Sequence, residues 1–215
     1  GKFQAGETPI EASLISFKEQ PISEGLRSQS QVQTLMRGLE KGVFWIGDVR
    51  TSDETLPPPP PFTMCSLLQL IASFDLPIAS VRTVIHALYE GGWITFPYPR
   101  NESVPPDATV SVRQWIETQY GADYLPDEKT VITEGIRPTN VQLQPEQSGL
   151  TGNALVLYTL IWKRFVASHM APAVGQIQHT QILTGESRAQ AYPLLFEASH
   201  KITTVEGYLR AYGPS

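Results

Sequence analysis

Five consecutive prolines, Pro57 to Pro61, restrict this chain more than any other stretch. Each ring fixes φ and removes a backbone donor, so neither a helix nor an inner strand can run through them. The run must be an extended, semi-rigid connector, and it marks a boundary. Upstream of it, Ile10, Ala12, Leu14 and Ile15 lie among Glu11, Ser13 and Ser16 like a half-buried strand. Gln31 to Lys41 reads as a helix, with Ser30 as N-cap, Gly42 as its stop, and Val32, Leu35, Met36 and Leu39 on one face. Val43-Phe44-Trp45-Ile46 reads as a buried strand.

Beyond the prolines the apolar period changes from two to 3.6. Thr63 or Ser66 caps a helix to about Phe74, and Ser80 caps another that ends at Gly91-Gly92. Trp93-Ile94-Thr95-Phe96 is β-like, so the order is that of a winged helix-turn-helix. Pro106 opens a further helix through Trp115 and Ile116, which Gly121 stops. Little periodicity follows until Gly149. Thr151 then caps the strongest helix, with Leu155, Tyr158, Ile161, Trp162 and Phe165 at helical spacing. The tail alternates again, from Ile177, Thr180 and Ile182 through Leu194 and Phe196 to Ile202, Val205, Tyr208 and Leu209. The expected fold class is α+β, a helical domain inserted into a β-rich one whose strands come from both chain ends.

The formal charge of −5 argues against a general polyanion binder, because phosphate contacts usually come with a basic face. No apolar run approaches the roughly 18–20 residues that span a bilayer. The single cysteine, Cys65, fits a reducing, cytoplasmic compartment, and beside Leu67 and Leu68 it reads as a small buried hydrophobe. His86, His169, His179 and His200 have no metal-ligand spacing.

Three separated stretches resemble type IA DNA topoisomerases, in that family's order. Pro59-Pro60-Pro61-Phe62-Thr63-Met64-Cys65-Ser66-Leu67-Leu68 is similar to the P-P-P-F-T-T-S-T-L connector entering the gate domain. Leu88-Tyr89-Glu90-Gly91-Gly92-Trp93-Ile94-Thr95 is similar to the L-Y-E-x-G-x-I-T segment that leads to the nucleophile. The third stretch joins Glu134-Gly135-Ile136-Arg137-Pro138-Thr139, similar to H-E-A-I-R-P-T, to Leu160 through Ser168, similar to L-I-W-R-R-F-V-A-S.

The resemblance implies a discontinuous arch domain over residues 1–62 and 169–215, and an inserted winged-helix-like gate domain over 63–168. It implies DNA as partner, both a single-stranded segment and the passing strand, in the cytoplasmic nucleoid and with no membrane. It further implies the remaining domains of the same polypeptide, including a metal-binding domain where Mg2+ is expected. This chain itself shows no paired-carboxylate motif and is expected to hold no cofactor.

Family members attack a backbone phosphorus with a tyrosine in I-T-Y-x-R and leave a 5′-phosphotyrosine link. Here the run is Ile94-Thr95-Phe96-Pro97-Tyr98-Pro99-Arg100-Asn101-Glu102, and two registers are open. Without gaps, Phe96 takes the nucleophile's place and no cleavage is possible. With Phe96-Pro97 as an insertion, Tyr98 is the nucleophile and Arg100 its phosphate partner. The family's histidine in H-E-A-I-R-P is Thr133 here, a second departure. Arg137, Lys163 and Arg164 are the candidate DNA contacts. Against them stand a structural pair between Arg137 and Glu134, and a solvated helix face for Lys163 and Arg164. A catalytically inactive nucleic-acid-binding scaffold is the alternative function.

Overall fold

The computed structural model describes residues 2–5, 8–17, 20–21, 28–72, 78–99, 103–126 and 131–213. The chain forms two compact units, one of residues 1–54 with 175–204, the other of 55–174 with 205–215.

In the first unit, β1 (Lys2–Ala5) and β2 (Thr8–Glu11) pair antiparallel. A second sheet has the order β4-β3-β7-β6-β5. Its strands are β3 (Ser13–Phe17), β4 (Gln20–Pro21), β5 (Val43–Leu56), β6 (Ala173–Ser187) and β7 (Gln190–Val205). β6 and β7 are a hairpin joined by the turn at residues 188–189. Leu14 lies opposite Phe196 and Phe17 opposite Leu194, with a register shift between Leu14 and Ser16. Leu194, Phe196 and Ala198 alternate onto one face, as a period of two requires, and bury themselves with Ala12 and Ile182. Helix α1 (Gln29–Lys41) sends Leu35 into that cluster.

Two sequence expectations change here. The N-cap of α1 is Ser28, not Ser30: its side chain accepts from the Gln31 amide at 3.2 Å, and Gln31 reaches back to the Ser28 amide at 3.1 Å. This reciprocal capping box outcompetes the single hydroxyl of Ser30, which already lies in the first turn. The strand starting at Val43 is also not buried, since Val43 and Ile46 are exposed and β5 runs on through polar residues to Leu56.

The second unit is mostly helical. Helix α2 (Met64–Ile71) is capped by Thr63, with Ser66 closing the capping box, so both residues proposed as caps take part. Its Met64, Leu67 and Ile71 face the core. Cys65 is exposed, contrary to the sequence reading, because the stripe at positions 64, 67 and 71 leaves it on the outer face. Helix α3 (Ile78–Glu90) places Ser80 inside the helix rather than at its cap. Phe74, where α2 was expected to end, lies outside the described residues.

Helix α4 (Pro106–Tyr120) begins at its proline and stops at Gly121, whose φ of 100° needs no Cβ. Helix α5 (Gly152–Ala167) buries Tyr158, Ile161, Trp162 and Phe165 as its spacing foretold. Thr151 does sit at the N-cap position but makes no side-chain capping bond. The tail also departs from the β reading: Tyr208 and Leu209 belong to a turn and a short helix, α6 (Leu209–Tyr212). Tyr208 and Ala211 are buried in the helical core, which draws residues 205–213 into this unit.

The proline run likewise belongs to the helical unit. Pro61 and Phe62 are buried, and Phe62 pairs with Ile136 through an isolated bridge. Arg164 fastens the run from α5: its Nε donates to the Pro60 carbonyl at 2.7 Å and its NH1 to the Tyr212 hydroxyl at 2.8 Å. Its guanidinium also lies 4.6 Å from the centre of the Phe62 ring. These partners join three distant parts of the chain through one planar, fully charged group, a task lysine cannot copy.

Candidate active site

The site is built where the segment after α3 meets the segment 131–139. Gly91 and Gly92 end α3, and the positive φ of Gly92, 74°, turns the chain back. Ile94 then bridges Pro138, and Thr139 holds the turn from the other side through Trp93 and Gly92. Thr95 is locked twice: its amide donates to the Arg137 carbonyl at 2.9 Å, and its hydroxyl accepts from the Arg137 amide at 3.2 Å. A further bridge, Ser103 to Thr133, closes the other end of the loop. The backbone on both sides of the candidate nucleophile loop is therefore fixed.

Within this frame Phe96 and Tyr98 stand side by side. Their ring centres are 5.8 Å apart at 64°, and both are about half exposed. Pro97 between them is buried and anchors the loop. The two rings serve different clefts. A cleft of about 290 Å³ is lined by Thr95, Phe96, Pro99, Ser103, Pro105, Glu134 and Arg137. A second, of about 540 Å³, is lined by Tyr98 and Pro99 with Thr63, Met64, Cys65, Leu68, Arg82, Pro97, Thr133 and Glu134.

The candidate residues divide accordingly. Phe96 shares a cleft with Arg137, and Tyr98 shares one with Thr133. Arg100 lies outside the described residues. Arg137 donates through Nε to Glu134 at 3.1 Å, with both side chains largely buried, so the structural pair is present. Arg164 is committed to the clamp described above, and Lys163, half-buried on α5, lines neither cleft.

Sequence reasoning missed Arg82. It is exposed on α3, in no ion pair among the described residues, and lines the Tyr98 cleft. Nothing local marks it, because its neighbour across the cleft comes from 16 positions away in the chain. Two other tyrosines of the unit are poorly suited to attack. Tyr158 donates its hydroxyl to the Leu143 carbonyl at 2.8 Å, and burial pushes its phenol up to about 12. Burial also raises the Tyr120 phenol, against a smaller opposing effect of Arg210.

His169 is the other residue whose state the sequence did not reveal. It is buried, with Nδ1 3.0 Å from the Phe165 carbonyl, while Nε2 has no partner among the described residues. Desolvation lowers its pKa to about 4; the Phe165 carbonyl opposes this, and the charges of Arg113 and Arg137 add to it. The unfolded chain, at about 6.5, binds a proton that the folded chain refuses. Above pH 6.5 the group is neutral in both states and has no effect. As pH falls from 6.5 towards 4, it removes roughly 3 kcal/mol of stability. Urea unfolding at a series of pH values is expected to show this loss in the wild type and not in His169→Gln.

No group of three or more His, Cys, Asp or Glu residues that could hold a metal occurs among the described residues. No helix among them is long and apolar enough to cross a membrane.

Comparison with known proteins decides the family. The model of a family described as DNA topoisomerase matches residues 5–215. The chain belongs to the DNA topoisomerase family. It is 30% identical to DNA topoisomerase 1 of Campylobacter jejuni over 227 residues, covering 95% of this chain and 31% of that protein. To DNA topoisomerase 1 of Helicobacter pylori it is 33% identical over 221 residues, covering 91% of this chain and 30% of that one. The fold is similar to part of the full-length topoisomerase I of Thermotoga maritima, with a TM-score of 0.70 and 24% identity over 96% of this chain and 34% of that structure. The chain thus spans about a third of the length of these topoisomerases. The stretches that resemble type IA members lie inside the matched region, and they include the Thr95–Arg137 frame.

Proposed function

We infer that this chain is the DNA gate and arch portion of a type IA topoisomerase, and that Tyr98 is its nucleophile. The observation that carries the reading is the position of Tyr98. It is an exposed tyrosine on a loop braced by Thr95 and Pro97, in one cleft with free Arg82 and with Thr133, the position of the family's histidine. Phe96 has no hydroxyl, and the phenol of Tyr158 is bonded and raised. In the reaction the Tyr98 oxygen bonds to phosphorus as the bond from phosphorus to the 3′ oxygen breaks. The phenol loses a proton and the 3′ oxygen gains one, so the strand can be resealed by the reverse step without ATP.

Phosphoryl transfer also needs positive charge on the equatorial oxygens. Arg82 and Arg100 supply it in this reading, and Arg137, held by Glu134, contributes from the adjoining cleft. Among the described residues no group of three or more His, Cys, Asp or Glu could hold a divalent ion, and no step is assigned to one here. Mg2+ and the domain that holds it belong to the rest of the polypeptide. The helical unit then acts as the gate, the β-rich unit as the arch, and the setting is the cytoplasmic nucleoid. The net charge of −5 predicts that the chain alone grips DNA weakly.

The test is incubation of the full-length protein with a single-stranded oligonucleotide and magnesium, followed by denaturation. A protein–DNA adduct is expected. Retained DNA binding without any adduct would establish instead the inactive scaffold, the reading favoured by Phe96 and Thr133.

A further inference from the structure

The helical unit hides most of its large rings. Trp115, Tyr158, Trp162 and Phe165 all lie in its core. Three rings break the pattern together: Tyr89, Phe96 and Tyr98 are 41%, 50% and 49% exposed. They also touch in a row. Tyr89 and Phe96 are 5.6 Å apart between ring centres, and Phe96 and Tyr98 are 5.8 Å apart, both edge to face. This row is not a product of loose chain, because Thr95 is bonded to Arg137 on both sides and Pro97 is buried.

Phe96 is the middle ring and carries no polar atom. It can neither attack a phosphate nor donate a hydrogen bond, yet it is held between two rings that carry hydroxyls, Tyr89 and Tyr98. A fixed, half-exposed ring in a cleft that also holds an arginine suits one kind of ligand. Nucleobases stack on such rings whatever their sequence, because every base has a π-face. Arg137, paired with Glu134, lines the Phe96 cleft and Arg82 lines the Tyr98 cleft, so cationic groups are at hand for the phosphates of a stacked strand. A duplex presents only base edges, so the ligand must be an unpaired strand.

We propose that Phe96, buttressed by Tyr89, is the stacking platform for an unpaired base of the DNA strand whose phosphate faces Tyr98. It is a positioning residue, and no bond to it forms or breaks. The placement of the base rests on the reading of Tyr98 as nucleophile, but the stacking is measurable without any chemistry.

The experiment is a fluorescence-anisotropy titration of the full-length protein in metal-free buffer with a labelled single-stranded oligonucleotide. A parallel set of oligonucleotides carries one abasic site at each position in turn. Phe96→Leu is expected to weaken binding roughly tenfold, within the range of base–aromatic stacking, and Phe96→Trp to retain it. One abasic position should cost the wild type a similar factor and cost Phe96→Leu nothing further. Undiminished binding by Phe96→Leu would overturn the proposal, and so would equal abasic penalties in both proteins. The wild type's own abasic profile keeps the test open if the leucine variant fails to fold: a profile flat at every position also overturns it. Because no strand is cut here, failure of this test is distinct from failure of Tyr98 to form an adduct.

Discussion

Changing Tyr98 to phenylalanine is expected to abolish covalent capture of DNA, by a factor on the order of 10⁴ or more, the scale seen when a covalent nucleophile is removed. The substitution deletes one oxygen and leaves the ring, so the contact with Phe96 and the loop braced by Thr95 and Pro97 persist. DNA affinity should change little, which separates loss of chemistry from loss of binding. The complementary variant decides between the registers. In the double variant Tyr98→Phe, Phe96→Tyr, a hydroxyl is restored in the cleft with Arg137 but not in the cleft with Arg82 and Thr133. Cleavage is expected to remain absent. Its recovery would show that the gap-free position is the competent one.

The second large effect is on stability. Replacing Trp162 with alanine is expected to cost the helical unit about 4 kcal/mol, the middle of the range for a large aromatic removed from a core. Two contacts beyond burial put it there. The indole Nε1 donates to the Val141 carbonyl at 3.0 Å, tying α5 to the irregular segment before it. Its ring meets Trp115 of α4 edge to face at 4.8 Å, so the same side chain ties α5 to α4. Alanine leaves both a cavity and a carbonyl without its donor. Phenylalanine should recover about half the loss, since it keeps a ring but not the donor. Urea unfolding followed by circular dichroism measures both, and a loss below about 1 kcal/mol for alanine would contradict this account of the core.

Helical spacing in the chain carried most of the fold. The apolar positions of α5 and the proline and glycine at the ends of α4 fixed those elements, because a period of 3.6 and two stop signals are local properties. That Thr63 or Ser66 caps α2 was legible for the same reason, whereas their joint capping box was not. What was not legible depends on distant partners. Tyr208 and Leu209 alternate like a strand, yet Tyr208 donates its amide to the Ala171 carbonyl at 2.9 Å and packs among the helices. Cys65 has leucines for neighbours in sequence but faces solvent, because helix geometry turns adjacent residues about 100° apart.

The candidate site divides in the same way. The motif around Thr95 was visible in the sequence, and so was the choice between Phe96 and Tyr98. The pair of Arg137 with Glu134 could be anticipated from a spacing of three residues. The separation of the two rings into two clefts could not, because it follows from where residues 131–139 and α2 pass the loop. Arg82 and the bare Nε2 of His169 are products of that tertiary arrangement and leave no mark on the sequence around them.

The central claim is that the hydroxyl of Tyr98 takes the DNA phosphate. The most direct measurement is to trap the adduct of the full-length protein with a single-stranded oligonucleotide, digest it, and identify the nucleotide-bearing residue by mass spectrometry. A phosphotyrosine link within the peptide that contains Tyr98, and at that residue, is the predicted result. A link at any other tyrosine, or DNA bound with no link at all, would contradict it.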